Sequence, residues 1–444
     1  MNEKEILRPE GRTSRLKRNF SLGLILNLSA MVLSYVQVPI SISYLGKEGY
    51  GIWVLLTSVI HWLIFFDGGL GNGLKNRLSN SIASNDWKRS REYVSTTFFS
   101  LLSLALVVFT LWILTILILG SGWLGTLTGY RGGDLSFVST IIAVYTLAGF
   151  VLNVFNQVYY SYQRTYIVNL VRVISQGLLL LGILLAPLLK TSGLMIYANV
   201  YGASLVIPSL LVFLLFSVKN RIVIPRLKYF RKHLVKDLLT LGMKFFLLQV
   251  SSMIMFTSDK LVIGIIMGAD AVADYQLVHK LFDAILILHS SVLLAPLWPA
   301  YAEAYKRNDS VWIKNTLKKS VVILVPILGF IILLVFSFPF ITTLWLGSPL
   351  LVSESLVLLM GLYAFTRAWT GTFINFINGT GLVNLQVILS LVIAIINVPL
   401  SFVLGYLMGL PGVIFATLLS LFLLAVPLPV QTGKIIREMS VFGK

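Results

Sequence analysis

Apolar stretches of about twenty residues follow one another along the whole chain, with short polar segments between them. A helix of that length rises about 30 Å and crosses the hydrocarbon core of a bilayer. Within hydrocarbon, each backbone polar group must be bonded inside the chain, which favours helices. The sequence therefore predicts an all-α integral membrane protein with about 12 transmembrane helices. The predicted spans are 20–44, 50–70, 93–119, 136–159, 168–189, 194–217, 238–267, 272–298, 320–346, 354–377, 385–407 and 411–430.

The composition supports this class of protein. Hydrophobic residues make up 57% of the chain and charged residues only 12%, whereas a soluble domain is about 25% charged. The net charge of +18 lies in short loops between apolar stretches, which argues against nucleic-acid binding. The chain has no cysteine, so disulfides, thiolate metal sites and cysteine nucleophiles are excluded.

The positions of Lys and Arg predict the orientation. Alternate loops carry about 27 of these residues on one side of the membrane, against about 3 on the other, namely Lys47, Arg131 and Lys190. Positive loops remain in the cytoplasm, so we expect both termini to be cytoplasmic and the number of helices to be even. The loops on either face are short, which leaves no room for a folded extramembrane domain.

Two pairs of similar segments indicate an internal repeat. LGKEGYGIWVLL begins at Leu45 and MGADAVADYQLV at Met267, and 79–86 likewise matches 302–309. The spacing of about 222 residues is half of the chain, although chance similarity between amphipathic loops remains an alternative. A parallel repeat predicts two six-helix lobes related by a pseudo-two-fold axis along the membrane normal. The expected organisation is a basic tail (1–19), an N-lobe (20–217), a basic cytoplasmic linker (218–237), a C-lobe (238–430) and a cytoplasmic tail (431–444).

Ionisable residues inside the spans are the candidate site residues, because each costs roughly 2.5–3.5 kcal/mol near the bilayer centre. In one interpretation they line a central polar cavity, where cations bind an anionic substrate and carboxylates couple transport to H⁺ or Na⁺. No cofactor or metal is expected otherwise. The candidate substrate-binding cations are Arg367, Lys260, Lys280, Arg172 and Lys244, and the candidate ion-coupling carboxylates are Asp259, Asp283 and Asp67.

A structural role is the alternative for most of these charges. Asp259 and Asp283 can pair with Lys260, and Lys280 can pair with Asp283, so that the set only holds helices together. Lys244 and Arg172 can reach the cytoplasmic interface, and Asp67 lies near a helix end, where water reaches it. Arg367 has no acidic neighbour in its own helix, which favours a functional role. For the embedded histidines, His61 and His289, we favour hydrogen-bonded helix contacts over a proton relay.

The segment PISISYLGKEGYGIW, followed by FFDGGLGNGLKNRLSNSIASND, resembles the polysaccharide transporter family of the multidrug/oligosaccharidyl-lipid/polysaccharide flippase superfamily. SDKLVIGIIMGADAVADYQLVHKL is similar to the same family's pattern at the seventh and eighth helices. The resemblance implies two six-helix lobes around a cavity in a bacterial inner membrane. It also implies a secondary transporter rather than an enzyme, which moves an undecaprenyl-diphosphate-linked oligosaccharide, such as an O-antigen unit, from the cytoplasmic to the outer leaflet.

Other functions remain open at this stage. A multidrug cation antiporter belongs to the same superfamily, but five embedded cations against three carboxylates favour an anionic cargo. A lipid II flippase is another alternative, although such a flippase usually adds two helices for which the chain has no room. A membrane-embedded polysaccharide polymerase would need a sizeable loop to hold sugars. Besides the lipid-linked oligosaccharide and membrane lipids, a polysaccharide polymerase and chain-length machinery are possible partners.

Overall fold

All regular elements in the described part of the chain are helical. The structure is a computed structural model that describes residues 12–62, 67–120, 124–125, 135–162, 164–189, 193–219 and 224–442. The longer helices are α1 (Arg12–His61), α2 (Leu70–Ala83), α3 (Trp87–Leu119), α4 (Leu135–Ser161), α5 (Thr165–Leu185), α6 (Leu194–Lys219), α7 (Lys232–Met267), α8 (Ala269–Leu288), α9 (Ala295–Lys306), α10 (Ser310–Val322), α11 (Leu324–Phe336), α12 (Phe338–Leu346), α13 (Glu354–Thr380), α14 (Asn384–Met408), α15 (Leu410–Ala425) and α16 (Pro427–Phe442). Short 3-10 helices cover Ala186–Leu189 and Leu227–Tyr229, and a π-helical turn covers His289–Leu294.

The number of membrane crossings agrees with the prediction from sequence. Eleven helices in the described residues are long and apolar enough to span a bilayer. The first candidate, Ser21–Ile60, has 40 residues, so a straight helix would be about 60 Å long, twice the thickness of the hydrocarbon core. Gly46, with φ 75° and ψ 168°, interrupts it. The break divides this segment into two crossings and confirms an all-α membrane protein with about 12 spans.

The same backbone turns occur in both halves of the chain. Gly46 and Gly268 have φ values of 75° and 85°, which a glycine adopts without the steric cost that a Cβ brings. Among the described residues, asparagine is the only other residue type with a positive φ. Asn85 has a φ of 57° and Asn308 a φ of 56°. The aspartate after each asparagine then caps the next helix: Asp86 accepts from Arg89 N and Asp309 from Trp312 N. The matching segments of the repeat therefore have matching local structure.

Several segments predicted as loops are helical instead. The polar loop 71–92 contains α2 and the first residues of α3, the linker 218–237 contains the start of α7, and the tail 431–444 overlaps α16. In α2 the leucines follow a helical period, and Leu74 and Leu78 are buried although the surrounding residues are polar. An amphipathic helix of this kind lacks the long apolar run on which the spans were predicted. The span 320–346 is divided among α10, α11 and α12.

The chain folds into two compact units, and the boundary falls between Phe246 and Leu247 inside α7. Many of the large side chains exposed on each unit are apolar, such as Ile118 at 78% and Phe336 at 83%. Buried polar side chains are frequent, including Ser95 and Asn397, both at 0% exposure. Apolar surfaces with polar contacts between helices suit a protein surrounded by lipid.

Candidate functional site

A cluster of ionisable and polar side chains lies inside the second unit. Five helices contribute side chains to it. Residues one helical turn apart place their side chains on the same face of a helix. Tyr275, His279 and Asp283 are spaced four residues apart on α8 and share one face. Tyr363 and Arg367 have the same spacing on α13. The remaining members are Asp259 on α7, Asn397 on α14 and Thr417 on α15.

Asp259 lies at one end of this cluster and is almost completely buried, with 2% of its surface exposed. The hydroxyl of Tyr275 donates to Asp259 Oδ2 at 2.7 Å. Thr417 Oγ1 lies 3.0 Å from both carboxylate oxygens and accepts a hydrogen bond of 3.0 Å from Asn397 Nδ2. The carboxylate is therefore solvated by neutral hydroxyl groups.

Arg367 lies at the other end of the cluster. Its Nη1 donates to the hydroxyl of Tyr363 at 3.2 Å, and the guanidinium carbon is 5.8 Å from the centroid of that ring. The same hydroxyl lies 3.3 Å from His279 Nε2. His279 Nδ1 is in turn 3.0 Å from Asp283 Oδ2. Tyr363 and His279 thus connect the arginine on α13 to the aspartate on α8.

The two lysines of the cluster are arranged around Asp283. Lys260 interacts electrostatically with Asp283 and, more weakly, with Asp259. Lys280 also interacts with Asp283. The charged residues of α7 and α8 that the sequence analysis predicted to pair therefore interact. The described hydrogen bonds of Asp259 come from hydroxyl groups, and Asp283 also contacts His279.

The other three candidate residues belong to the first unit. Arg172 is exposed, and its Nη1 donates to Asn27 Oδ1 at 3.3 Å. Asp67 accepts from the backbone N–H of Gly69 at 2.9 Å and of Gly71 at 3.3 Å, at the start of α2. Lys244 lies on α7, but its side chain is outside the described part of the structure.

The remaining members of the cluster, Tyr275, His279, Tyr363, Asn397 and Thr417, were not predicted from the sequence. A signal existed for two of them, because His279 precedes Asp283 and Tyr363 precedes Arg367 by one helical turn. Asn397 and Thr417 carried no local signal, since they reach Asp259 only through tertiary packing. His289 makes the kind of helix contact predicted for it, with Nε2 3.5 Å from Thr372 Oγ1, whereas the side chain of His61 lies outside the described residues.

This chemistry suits anions at one end and small cations at the other. Arg367 presents a planar fork of donors, which matches phosphate oxygens. Asp259 is surrounded by oxygen atoms of Tyr275 and Thr417, the ligand type of a proton or a hard cation such as Na⁺. Among the residues that the structure describes, no three His, Asp or Glu side chains form a metal-binding group.

Comparison with known proteins identifies both family and fold. The family described as polysaccharide biosynthesis protein matches residues 16–305, which is more than half of the chain. A Yersinia pseudotuberculosis protein whose name proposes O-antigen export is 25% identical over 80% of this chain and 81% of its own length. A Salmonella typhi protein whose name proposes O-antigen transport is 24% identical over 66% of this chain and 67% of its own length.

Solved structures with the same fold are membrane transporters. An inward-facing multidrug resistance MATE family transporter of the MOP superfamily has a TM-score of 0.72 and 19% identity, covering 94% of this chain and 98% of that protein. A MOP superfamily transporter from Pyrococcus furiosus, described as having a binding pocket of reversed polarity, has a TM-score of 0.65 and 18% identity, covering 95% and 97%. At these identities the likeness establishes the fold.

Proposed function

Because the chain belongs to the polysaccharide biosynthesis protein family, we propose that it is a flippase for an undecaprenyl-diphosphate-linked oligosaccharide. The cargo would be an O-antigen unit or a similar surface polysaccharide repeat unit, moved from the cytoplasmic to the outer leaflet of a bacterial inner membrane. The names of the Yersinia and Salmonella relatives support this cargo. The fold, shared with MOP superfamily transporters, supports a carrier rather than an enzyme.

The observation that carries the proposal is the position of Arg367 inside a transmembrane helix, hydrogen-bonded to a neutral hydroxyl of Tyr363. Arg367 also interacts electrostatically with Asp283, and its planar fork of donors matches the oxygens of a phosphate group. The diphosphate would bind to this guanidinium while the cargo passes. Lys260 and Lys280 on the neighbouring helices add to the positive charge and favour an anionic headgroup over a cationic drug.

A protein carrier can offer the polar groups of this cargo hydrogen bonds that the hydrocarbon core lacks. Neither a diphosphate nor a sugar chain crosses hydrocarbon unaided, because each polar group would lose its hydrogen bonds with water. We propose alternating access, in which the site opens first to the cytoplasm and then to the outside. The cations solvate the diphosphate, and the isoprenoid chain remains in lipid.

For the driving force, we propose that an ion binds at Asp259. Its oxygen-rich surroundings of Tyr275, Thr417 and Asn397 suit either H⁺ or Na⁺, and its connection to α8 brings it near the cations of the cluster. Asp283 is the second candidate because it contacts His279 on the path to Arg367. Asp67 is a weaker candidate, since both of its described contacts cap a helix.

Deletion and complementation in the source bacterium test the cargo. The deletion strain should accumulate lipid-linked repeat units at the cytoplasmic leaflet and lose surface polysaccharide. Wild type should restore both, and Arg367→Ala should not, despite normal membrane levels. Arg437→Ala is a matched control, because Arg437 is exposed near the end of the chain. Unchanged polysaccharide together with new sensitivity to cationic drugs would instead support a multidrug antiporter.

Reconstitution with ion gradients tests the coupling. Flipping by wild type should depend on a Na⁺ or an H⁺ gradient, and Asp259→Asn should lose that dependence. Asp270→Asn serves as the control, because Asp270 is an exposed carboxylate in the first turn of α8. Gradient dependence that survives in Asp259→Asn would remove this residue from the coupling mechanism. The same vesicles, prepared with a polysaccharide polymerase and a chain-length regulator, can test whether these proteins act as partners.

A further inference from the structure

One face of the first three turns of α7 is the wall of a wide-open cavity of about 670 Å³. The wall combines two lysines with an apolar stripe, and its residues are Lys232, Val235, Lys236, Leu239, Thr240 and Met243. Lys232 and Lys236 precede the candidate membrane span Phe246–Met267 of the same helix. The lysine end of the cavity therefore lies near a membrane surface.

The opposite face of this helix is fixed to the first unit. Leu238 is completely buried, and its backbone packs so closely on Gly73 that a side chain at position 73 would meet its carbonyl group. Asp237 forms an ion pair with Arg77 and accepts from the hydroxyl of Tyr93 at 3.3 Å. These contacts prevent α7 from turning, so Lys232 and Lys236 remain on the cavity side.

The chemistry of the wall matches an isoprenoid diphosphate. Lys232 and Lys236 are one helical turn apart, so their side chains start about 6 Å from each other and can contact two linked phosphate groups together. Val235, Leu239 and Met243 continue along the helix towards the membrane span and offer an apolar surface to a hydrocarbon chain. A single phosphate on a bulk phospholipid would need only one of the two lysines.

We propose that this wall binds the diphosphate and the first isoprene units of the lipid-linked cargo at the membrane surface, as a docking site distinct from the cluster around Arg367. The inference rests on the proposed function, because it takes the same cargo. The two neighbouring cations are engaged elsewhere: Lys228 lies 5.1 Å from the ring centroid of Tyr229, and Arg231 pairs with Glu92 at 3.3 Å. Lys228 thus provides a matched control lysine.

Binding of geranylgeranyl diphosphate to the full-length protein in nanodiscs of neutral lipid tests the inference. The variants are the pair Lys232→Gln with Lys236→Gln, the charge-conserving pair Lys232→Arg with Lys236→Arg, and Lys228→Gln. Both lysines of the wall are exposed, so the variants should fold, and the midpoint of thermal unfolding checks that they do. The glutamine pair should bind at least about tenfold more weakly, while the arginine pair and Lys228→Gln should bind like wild type.

Three results would contradict this account, and they can be told apart. Equal binding by the glutamine pair and wild type would overturn the docking site but leave the proposed cargo intact. Competition by phosphatidylglycerol as strong as by the diphosphate would assign the wall to bulk anionic lipid. Wild type could also fail to bind geranylgeranyl diphosphate while it still flips or exports another substrate under the same conditions. That result would overturn the proposed cargo and the docking site together.

Discussion

Asp259 and Thr417 lie 158 residues apart in the chain, and the threonine hydroxyl is 3.0 Å from both oxygens of the buried carboxylate. The threonine also accepts from Asn397, so its hydroxyl hydrogen is available for the carboxylate. Asn397 Oδ1 in turn lies 3.4 Å from the hydroxyl of Ser258. A neutral network from three helices therefore holds the carboxylate that we propose as the ion site.

Replacement of Thr417 by valine should destabilise the protein by about 1–3 kcal/mol. Valine keeps the shape of the side chain but removes the hydroxyl, which leaves Asp259 with fewer donors and Asn397 Nδ2 without its acceptor. Thr417→Ser keeps the hydroxyl and should lose much less. The midpoint of thermal unfolding in nanodiscs measures the difference, and equal stability of the valine and serine variants would show that the hydroxyl is unimportant.

The contact between Gly73 and Leu238 predicts a cost for any side chain at position 73. A Cβ there would meet the backbone of Leu238, which cannot move without shifting α7. Gly73→Ala should therefore lower stability by about 1–3 kcal/mol. The control is Gly149→Ala, because a Cβ at Gly149 has nothing within 4 Å, and there alanine should be neutral or stabilising by up to about 1 kcal/mol through helix propensity. Similar effects of both changes would exclude a special role for the close approach.

Because Arg77 and Asp237 form an ion pair, we expect that exchanging the two residues restores part of the stability that each single substitution removes. Each side chain is 35% exposed, so water and salt screen the ion pair. Loss of the pair in Arg77→Asp or in Asp237→Arg should therefore lower the free energy of unfolding by about 1 kcal/mol or less. Repulsion between the like charges adds to this loss in each single variant. The double exchange should recover part of this loss. Additive losses in the double variant would show that the two residues do not interact in solution.

We expect the hydroxyl of Tyr363 to position Arg367 for transport. Tyr363→Phe removes the hydroxyl between His279 and Arg367 but leaves the imidazole, the guanidinium and the aromatic ring in place. We expect flipping about tenfold slower, with unchanged membrane levels. Tyr301→Phe is a control, since Tyr301 is equally buried in the second unit but packs on Trp312 and Phe376. An equal loss in both variants would mean that Tyr363 acts through general stability.

The sequence was sufficient for the parts of the fold that depend on hydrophobicity. Apolar runs located the spans, and the match between Gly46 and Gly268 located two glycines with the same backbone conformation. Amphipathic helices such as α2 were missed because their apolar residues are spaced rather than continuous. The start of α7 inside the predicted linker was missed for the same reason, since Leu234 and Leu238 lie among charged residues.

The site was only partly predictable. Asp259, Lys260, Lys280, Asp283 and Arg367 stood out because charge inside a span is costly, and the structure brings them together. Neutral partners carry no such cost and therefore gave no signal, which is why Tyr275, Asn397 and Thr417 were missed. Arg172 and Asp67 belong to the first unit, where their described contacts are with Asn27 and with N–H groups at the start of α2.

The most direct test of the account is flipping of a fluorescently labelled, isoprenoid-diphosphate-linked oligosaccharide by the purified protein in liposomes, followed by quenching from outside. The account predicts that wild type equilibrates the label between leaflets much faster than protein-free vesicles. It also predicts that Arg367→Ala does not, while Arg437→Ala behaves like wild type. The account would be contradicted if the label moved between leaflets equally fast with Arg367→Ala. It would also be contradicted if wild type did not move the label but still exported a cationic dye.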